Sequence, residues 1–446
     1  MSLTWPTPSL PILNAMDPPI TEEEGSWLAS LVFIGAIIAS PVFSYISQNY
    51  GRKIAGYCTV IPFSISWLLV VFFDSIPLYY ISRFLGGFAS GGVLAFCPMY
   101  IGEIAEDSIR GTLGTVRSMV VNIGAIIFCA VGPLVSLSNM AAICTVVPII
   151  FAVCFLWLPE SPMYLMKVGK VEEAKEAMTW LRGGNVVKAE EDIRKLAVVV
   201  EKSNSNVSFK ELLSSKGTRR GLVICIVLAV AQQLSGVSAI MSFSVSLFES
   251  AGGLVQPTTA SIIMTSVQLF GTIIASIFLD IAGRRILLIG SQITMTLSLG
   301  TLGTYFYLQE LNFDLSSVGF VPMVCAAVYV LSICVGLITV SFVVMAEIFS
   351  PESRGLATSI TTTIMWFMAF LTTRFYASIV NVIGLYGCYW FFALVCVASN
   401  IFTILKIPET KNRSLESILL ELNGESAQND VEDVNQQKDI KVIERY

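Results

Sequence analysis

Apolar residues in this chain come in runs too long and too continuous for the core of a water-soluble domain. Eleven runs, roughly 26–47, 54–73, 77–101, 112–135, 140–158, 219–247, 258–279, 286–308, 317–345, 356–379 and 386–406, are long enough to cross a bilayer as helices, which takes about 20 apolar residues. Five runs fall in a first block, 26–159, and six in a second, 218–408. A polar segment, 160–217, separates the blocks, 409–446 forms a polar tail, and 1–25 is expected to be an extracellular remnant of a helix and its loop. Within the separating segment Val171, Ala174, Met178 and Leu181 recur at helical spacing, charged residues take the other face, and Gly183-Gly184 stops the pattern. This predicts short amphipathic helices. Residues 196–216 read equally well as a solvated linker, and the tail from about 424 reads as disordered.

Composition agrees. The chain is 54% hydrophobic and 13% charged, with a mean hydropathy of +0.74, outside the range of soluble globular domains. The expected fold is an all-α integral membrane protein of two helical bundles. The net charge of −5 changes little, because sidedness depends on where Lys and Arg lie. They concentrate at 48–53, around Arg110, in 160–220, at 280–285, around Arg354 and in the C-terminal segment. The alternate loops near 74–76, 136–139, 249–257, 309–316 and 380–385 have none and carry Asp74, Glu249, Glu310 and Asp314 instead. The basic loops are expected to be cytoplasmic, which places the C-terminus inside. The ten cysteines lie in apolar runs, so no disulfide framework is expected.

One charged signature occurs twice. Gly51-Arg52-Lys53 is followed by Glu103, six residues, then Arg110-Gly111; Gly283-Arg284-Arg285 is followed by Glu347, six residues, then Arg354-Gly355. The copies are offset by 232 and 244 residues. A duplicated half with basic turns at matching helix ends is the layout of a two-bundle transporter. A Gly-Arg-Arg turn at a helix end lets guanidinium groups reach carboxylates and terminal carbonyls. A ring of Arg52, Glu103, Arg110, Glu160, Asp280, Arg284, Glu347, Arg354 and Glu409 is expected to pair across the bundles and latch the inner gate shut while the outer side is open. Gln48 stands in the first copy where Asp280 stands in the second, which suggests a weaker first-half latch. The plainer alternative is that these charges only set topology.

Inside the runs, Arg83 sits roughly 9 Å into a helix at about 1.5 Å per residue. A charge there is costly; it is expected to pair near the outer gate or to snorkel, and Arg374 to snorkel. Gln232 and Gln233 lie in an apolar run, with Ser235 and Ser238 just beyond. Amides in lipid need partners, so they are expected to face the bundle interior. There they can act as donor and acceptor toward a neutral polar solute. Gln268 and Asn122 are further intramembrane amides, each as readily structural as functional. No Asp or Glu lies deep in any run, and the chain has no His. A proton-coupled carrier normally needs a buried titratable group, so passive uniport is expected. There is no nucleophile–base set, metal-ligand cluster or phosphate loop, so neither an enzyme nor a cofactor is expected. The expected partners are a small neutral molecule and the lipid bilayer, not nucleic acid.

Several motifs carry a resemblance: Tyr50-Gly51-Arg52-Lys53, Arg83-Phe84-Leu85-Gly86-Gly87, Pro98-Met99-Tyr100-Ile101-Gly102-Glu103, Arg110-Gly111-Thr112-Leu113-Gly114, Leu158-Pro159-Glu160-Ser161-Pro162, Gln232-Gln233-Leu234-Ser235-Gly236, Asp280-Ile281-Ala282-Gly283-Arg284-Arg285 and Pro408-Glu409-Thr410-Lys411-Asn412-Arg413-Ser414-Leu415-Glu416. In this order the chain resembles the sugar porter family of the major facilitator superfamily, and most closely its insect facilitated trehalose transporter branch. The resemblance implies a twelve-helix fold, alternating access, a plasma-membrane location and a central site for trehalose or a hexose. It implies that the Gln232–Ser238 stretch is the substrate helix, and that Trp366 is the aromatic that stacks on a sugar's apolar face.

The chain departs from the family in three ways. Trp5-Pro6-Thr7-Pro8-Ser9-Leu10 resembles only the outer end of the family's first helix, where proton-coupled relatives place a key acid. The tenth helix replaces the family's Gly-Pro-x-Pro-Trp by Ile338-Thr339-Val340-Ser341-Phe342, with Phe342 as the aromatic contact and no proline to free carbonyls for bending. Ser238 and Met365 stand where the family has asparagines. These departures leave open a non-transporting sugar sensor, an inactive truncated transporter and a proton-coupled symporter.

Overall fold

The computed structural model describes residues 1–106, 109–202, 216–252, 256–349, 351–411, 413 and 415–423. The side chains of Arg110 and Asp280, two members of the expected ring, lie outside the described residues, as do most of the 196–216 linker and the tail beyond 423.

Among the described residues the chain is helical throughout. The first half holds α1 (Pro6–Asn14), α2 (Glu22–Asn49), α3 (Arg52–Phe72), α4 (Ile76–Ile104), α5 (Arg110–Val131) and α6 (Leu137–Phe155). Three short helices follow, α7 (Pro162–Lys167), α8 (Val171–Leu181) and α9 (Val186–Lys202). The second half holds α10 (Lys216–Leu234), α11 (Val237–Ser242), α12 (Ser244–Ala251), α13 (Pro257–Ala282), α14 (Arg284–Glu310), α15 (Val321–Ile333), α16 (Thr339–Ile348) and α17 (Pro351–Lys406), with α18 (Leu415–Asn423) after it. Ten of these elements, some joined end to end, are long and apolar enough to span a membrane. The longest, α17, holds two spans, because its backbone leaves helical geometry at Gly384 (φ 74°, ψ 166°). Those spans account for all eleven apolar runs.

Local chemistry sets the helix ends. Thr21 caps α2 by accepting the N–H of Glu24, whose carboxylate accepts the Thr21 N–H at 2.9 Å, a reciprocal box that satisfies two otherwise orphaned donors. The amphipathic pattern after residue 160 folds as expected: Leu165, Ala174, Ala177, Met178, Ala189 and Ile193 bury one another. Arg182 fastens this unit to the end of α4 by donating to the Ile104 carbonyl at 3.2 Å and to Asp192 at 2.7 Å.

The N-terminal segment is more than a surface remnant. Trp5 and Leu13 are fully enclosed, packed with Leu28, Trp67, Tyr79 and Phe128 of the first half. Thr7 donates to the Met241 carbonyl of the second half at 2.8 Å.

The helix is irregular just before the proline-free run. Between α15 and α16 the backbone forms a π-helical turn, Cys334–Ile338. Such turns interrupt the regular hydrogen-bond ladder and mark functional hinges; here the Thr339 hydroxyl donates to the Cys334 carbonyl at 2.6 Å. The turn presses on α14, so that a Cβ on Gly336 would lie 1.8 Å from the Ser291 hydroxyl oxygen. Gly336→Ala is therefore expected to destabilise the fold by about 1–3 kcal/mol through overpacking. Thermal unfolding in detergent checks this, with Gly290→Ala as control, because a Cβ at Gly290 meets nothing within 4 Å.

Candidate functional site

The two ionic clusters sit at the end of the molecule where Lys and Arg concentrate. Gly51 turns the chain into α3 with φ 106°, and Gly283 turns it into α14 with φ 88°, a region that L side chains rarely adopt. In each case a Cβ would also press on a carboxylate, Glu160 or Glu409, within 3 Å. Arg52 then donates Nε and Nη2 to the two oxygens of Glu103 at 2.8 and 2.7 Å, and Nη1 to the Ser47 carbonyl at 2.7 Å. Glu160 accepts the backbone N–H groups of Arg52, Lys53 and Ser161 at 2.8–3.0 Å.

The second half repeats the arrangement. Arg284 donates to Glu347 at 2.8 and 3.1 Å and to the Leu279 carbonyl at 3.0 Å. Glu409 accepts the N–H groups of Arg284, Arg285, Thr410 and Lys411 at 3.0–3.1 Å. Burial pushes the Glu409 carboxyl up, but the four N–H donors outweigh it and hold it below the usual carboxylate range. Its contribution to stability is thus full above the unfolded-state pKa of about 4.3 and is lost as pH falls through the lower folded value.

Two features of the clusters bear on the sequence reading. First, both clusters are internal to their halves: among the described residues no ion pair or hydrogen bond joins one to the other. Each ties the start of one helix to the end of the next and to the Pro-Glu segment after the last, and so stiffens its half. Second, the first-half pair is the more buried, with side-chain exposures of 7% and 16% against 13% and 26%, although it has Gln48 in place of an acid. Arg354 joins neither cluster; it is exposed and donates to the Phe349 carbonyl at 3.2 Å. Sequence reasoning missed Ser161 and Thr410, whose hydroxyls each donate at 2.5 Å to the second oxygen of Glu103 and Glu347. The signal was present in the matching Pro159-Glu160-Ser161 and Pro408-Glu409-Thr410.

Midway along the second half, α10 ends and the backbone turns left-handed at Gly236 before α11. Gln232 and Gln233 are buried here, 5% and 4% exposed. Ser238 donates to the Gln233 carbonyl oxygen at 2.7 Å, while the amide of Gln232 has no protein partner among the described residues. Tyr329 braces the break by donating to the Ser235 carbonyl at 3.0 Å. One turn earlier, Ala229 packs into the seam between the halves with Val32, Phe33, Met365 and Trp366. Trp366 stacks on Phe33 of the other half, centroids 5.9 Å apart. One of its faces is thereby covered by Phe33. Asn122 donates to Thr272 across the same seam at 2.9 Å. Gln268 is half-buried with no protein hydrogen bond to its side chain among the described residues, and Phe342 is exposed on α16.

The seam continues toward the end that lacks Lys and Arg in its loops. Arg374 does not snorkel: it pairs with Glu23 of the first half at 3.0 Å and lies over the Trp27 ring. Asn381 donates to Glu22 at 3.0 Å. Arg83 neither pairs with a carboxylate nor snorkels. It is 3% exposed, donates to the carbonyls of Leu28 and Ser2 at 3.0 and 2.7 Å, and sits over Trp5. Among the described residues, all hydrogen bonds, ion pairs and ring contacts between the halves lie between this end and the middle of the helices. Toward the basic end the halves share none.

Comparison with known proteins gives a consistent result. A family model described as sugar (and other) transporter matches residues 15–421. The facilitated trehalose transporter Tret1 of Polypedilum vanderplanki is 33% identical over 411 residues, covering 91% of this chain and 81% of the relative. Tret1 of Bombyx mori is 32% identical over 413 residues, with the same coverage. Among solved structures, an inward-open conformation of the xylose transporter XylE from E. coli superposes with a TM-score of 0.77 at 21% identity, covering 94% of this chain and 95% of that one. The proton:xylose symporter XylE bound to 6-bromo-6-deoxy-D-glucose gives 0.73 at 22% identity, covering 94% and 96%. At those identities the two structures establish the shared fold.

Proposed function

The chain belongs to the sugar transporter family of the major facilitator superfamily, and on that footing we propose that it moves a neutral sugar, trehalose or a hexose, across the plasma membrane by facilitated uniport. The observation that carries this reading is the buried Gln232–Gln233 pair at a helix break beside the seam, with hydrogen-bonding capacity unspent on protein. A sugar offers hydroxyls that such amides meet as both donor and acceptor. With the basic end cytoplasmic, the C-terminus is inside, and the halves are closed toward the exterior and separate toward the cytoplasm, an inward-facing arrangement. Alternating access then requires the outer contacts to part while each half, stiffened by its own ionic cluster, moves as a unit. The absence of Asp or Glu deep in the apolar runs supports uniport over proton coupling. The π-turn supports transport over a sensor role, because it interrupts the regular helical ladder beside the run that lacks the family's prolines.

The binding claim is tested by Ser238→Cys. Saturating trehalose or glucose should slow its alkylation from the cytoplasmic side; equal rates with and without any sugar would contradict a sugar site at this break.

The outer seam yields a second prediction. Glu23 is 73% exposed, so the share of its pair with Arg374 is under about 1 kcal/mol, with about 0.5–1 kcal/mol more from the Trp27 contact. Arg374→Ala is expected to favour the outward-facing state several-fold, read as faster labelling of Ala369→Cys by a membrane-impermeant reagent over the native-cysteine background.

A further inference from the structure

A cleft of about 510 Å³ opens at the basic end, on the outer wall of the second half, between the first turns of α10, the last turns of α17 and α18. It lies away from the seam and the amide pair. Arg219, Arg220 and Lys406 stand at its rim, and Val223, Phe402 and Leu405 form its floor. Arg219 and Val223 are both exposed and four residues apart, so cation and apolar group share one face of α10. Leu405, 69% exposed, lies beside Lys406 at the end of α17. Arg220 anchors the wall by donating to the Leu422 carbonyl at 2.6 Å, whereas Arg219 and Lys406 have no carboxylate partner among the described residues. The acid lining the cleft, Glu421, is already paired with Arg413.

We propose that this cleft holds an anionic phospholipid of the cytoplasmic leaflet. Its phosphate sits between Arg219 and Lys406, and an acyl chain runs down Val223, Phe402 and Leu405. The order of groups is that of the leaflet itself: charge at the headgroup level, exposed aliphatic surface below. Guanidinium and ammonium groups bind phosphate directly, and a basic group near an anionic leaflet contributes about fivefold in affinity.

Native mass spectrometry of the full chain in detergent, with phosphatidylserine added against phosphatidylcholine, tests this. Phosphatidylserine is expected to give one retained adduct at concentrations where phosphatidylcholine gives none. The double variant Arg219→Gln/Lys406→Gln should weaken it about 25-fold, two charges at about fivefold each. Lys175→Gln, an exposed charge removed from α8, should leave it unchanged, and thermal unfolding confirms that the variants are folded. Equal retention of both lipids, or an adduct that survives the double substitution, would overturn the proposal. So would displacement by millimolar glycerophosphoserine, which would mark a headgroup-phosphate site with no use for the apolar floor.

Discussion

Gln233→Leu should lower sugar uptake at least tenfold while the protein still folds and reaches the membrane. The side chain is buried at the break between α10 and α11 and accepts one hydrogen bond, from Ser238. Its amide protons are available to a ligand hydroxyl. Leucine has nearly the same volume, so the surrounding packing survives. What is lost is a donor for a group that, once desolvated, has no alternative. Leaving a buried polar group unsatisfied costs about 1–3 kcal/mol, and each 1.4 kcal/mol is about tenfold. The loss should fall mainly on KM if the amide binds the resting sugar, and on the turnover rate if it grips only during the transition between states. Gln232→Leu should behave alike, and Gln233→Asn should fall between. A Gln233→Leu variant with unchanged uptake would remove the amide pair from the substrate path.

Removing Arg52 should have the largest effect on stability of any single change in the clusters. Arg52 is 6% exposed and bidentate on Glu103. Taking away one partner of a buried pair leaves an uncompensated charge and costs about 3–5 kcal/mol; residual exposure of Glu103 discounts this to about 2–4. Arg284→Ala should cost less, because its pair is nearly twice as exposed. The double variant Arg52→Met/Glu103→Met should recover much of the loss, since apolar replacement of both partners is often neutral. Expression level and thermal unfolding read these differences. A latch across the halves predicts something else: Arg52→Ala would leave each half as stable as before and only shift which side is open.

How far the sequence carried the account depended on the range of the interaction. The eleven spans were legible because each is a local property of about 20 residues. The equivalence of the Arg52–Glu103 and Arg284–Glu347 clusters was legible because the chain writes the signature twice. The direction of pairing was not: charges at helix ends look the same whether they tie neighbours in one half or reach across two, and only the packing decides. Arg374 was misread for a related reason. An arginine near a helix end has a cheap solution, snorkelling, and nothing local reveals that Glu22 and Glu23 wait on another helix. Arg83 was misread because its partners are backbone carbonyls and the Trp5 ring, which carry no signature in sequence. The π-turn was invisible because the hinge motif is defined by prolines, and a helix can loosen without them where a glycine lets it press on a neighbour.

Uptake of radiolabelled sugar into liposomes holding the full chain tests the central claim most directly. The account predicts saturable entry of trehalose or a hexose down its gradient, at the same initial rate with and without a protonophore, and lost in the Gln232→Leu/Gln233→Leu double variant. Sugar binding without any flux, or entry that stops when the proton gradient is collapsed, would contradict it.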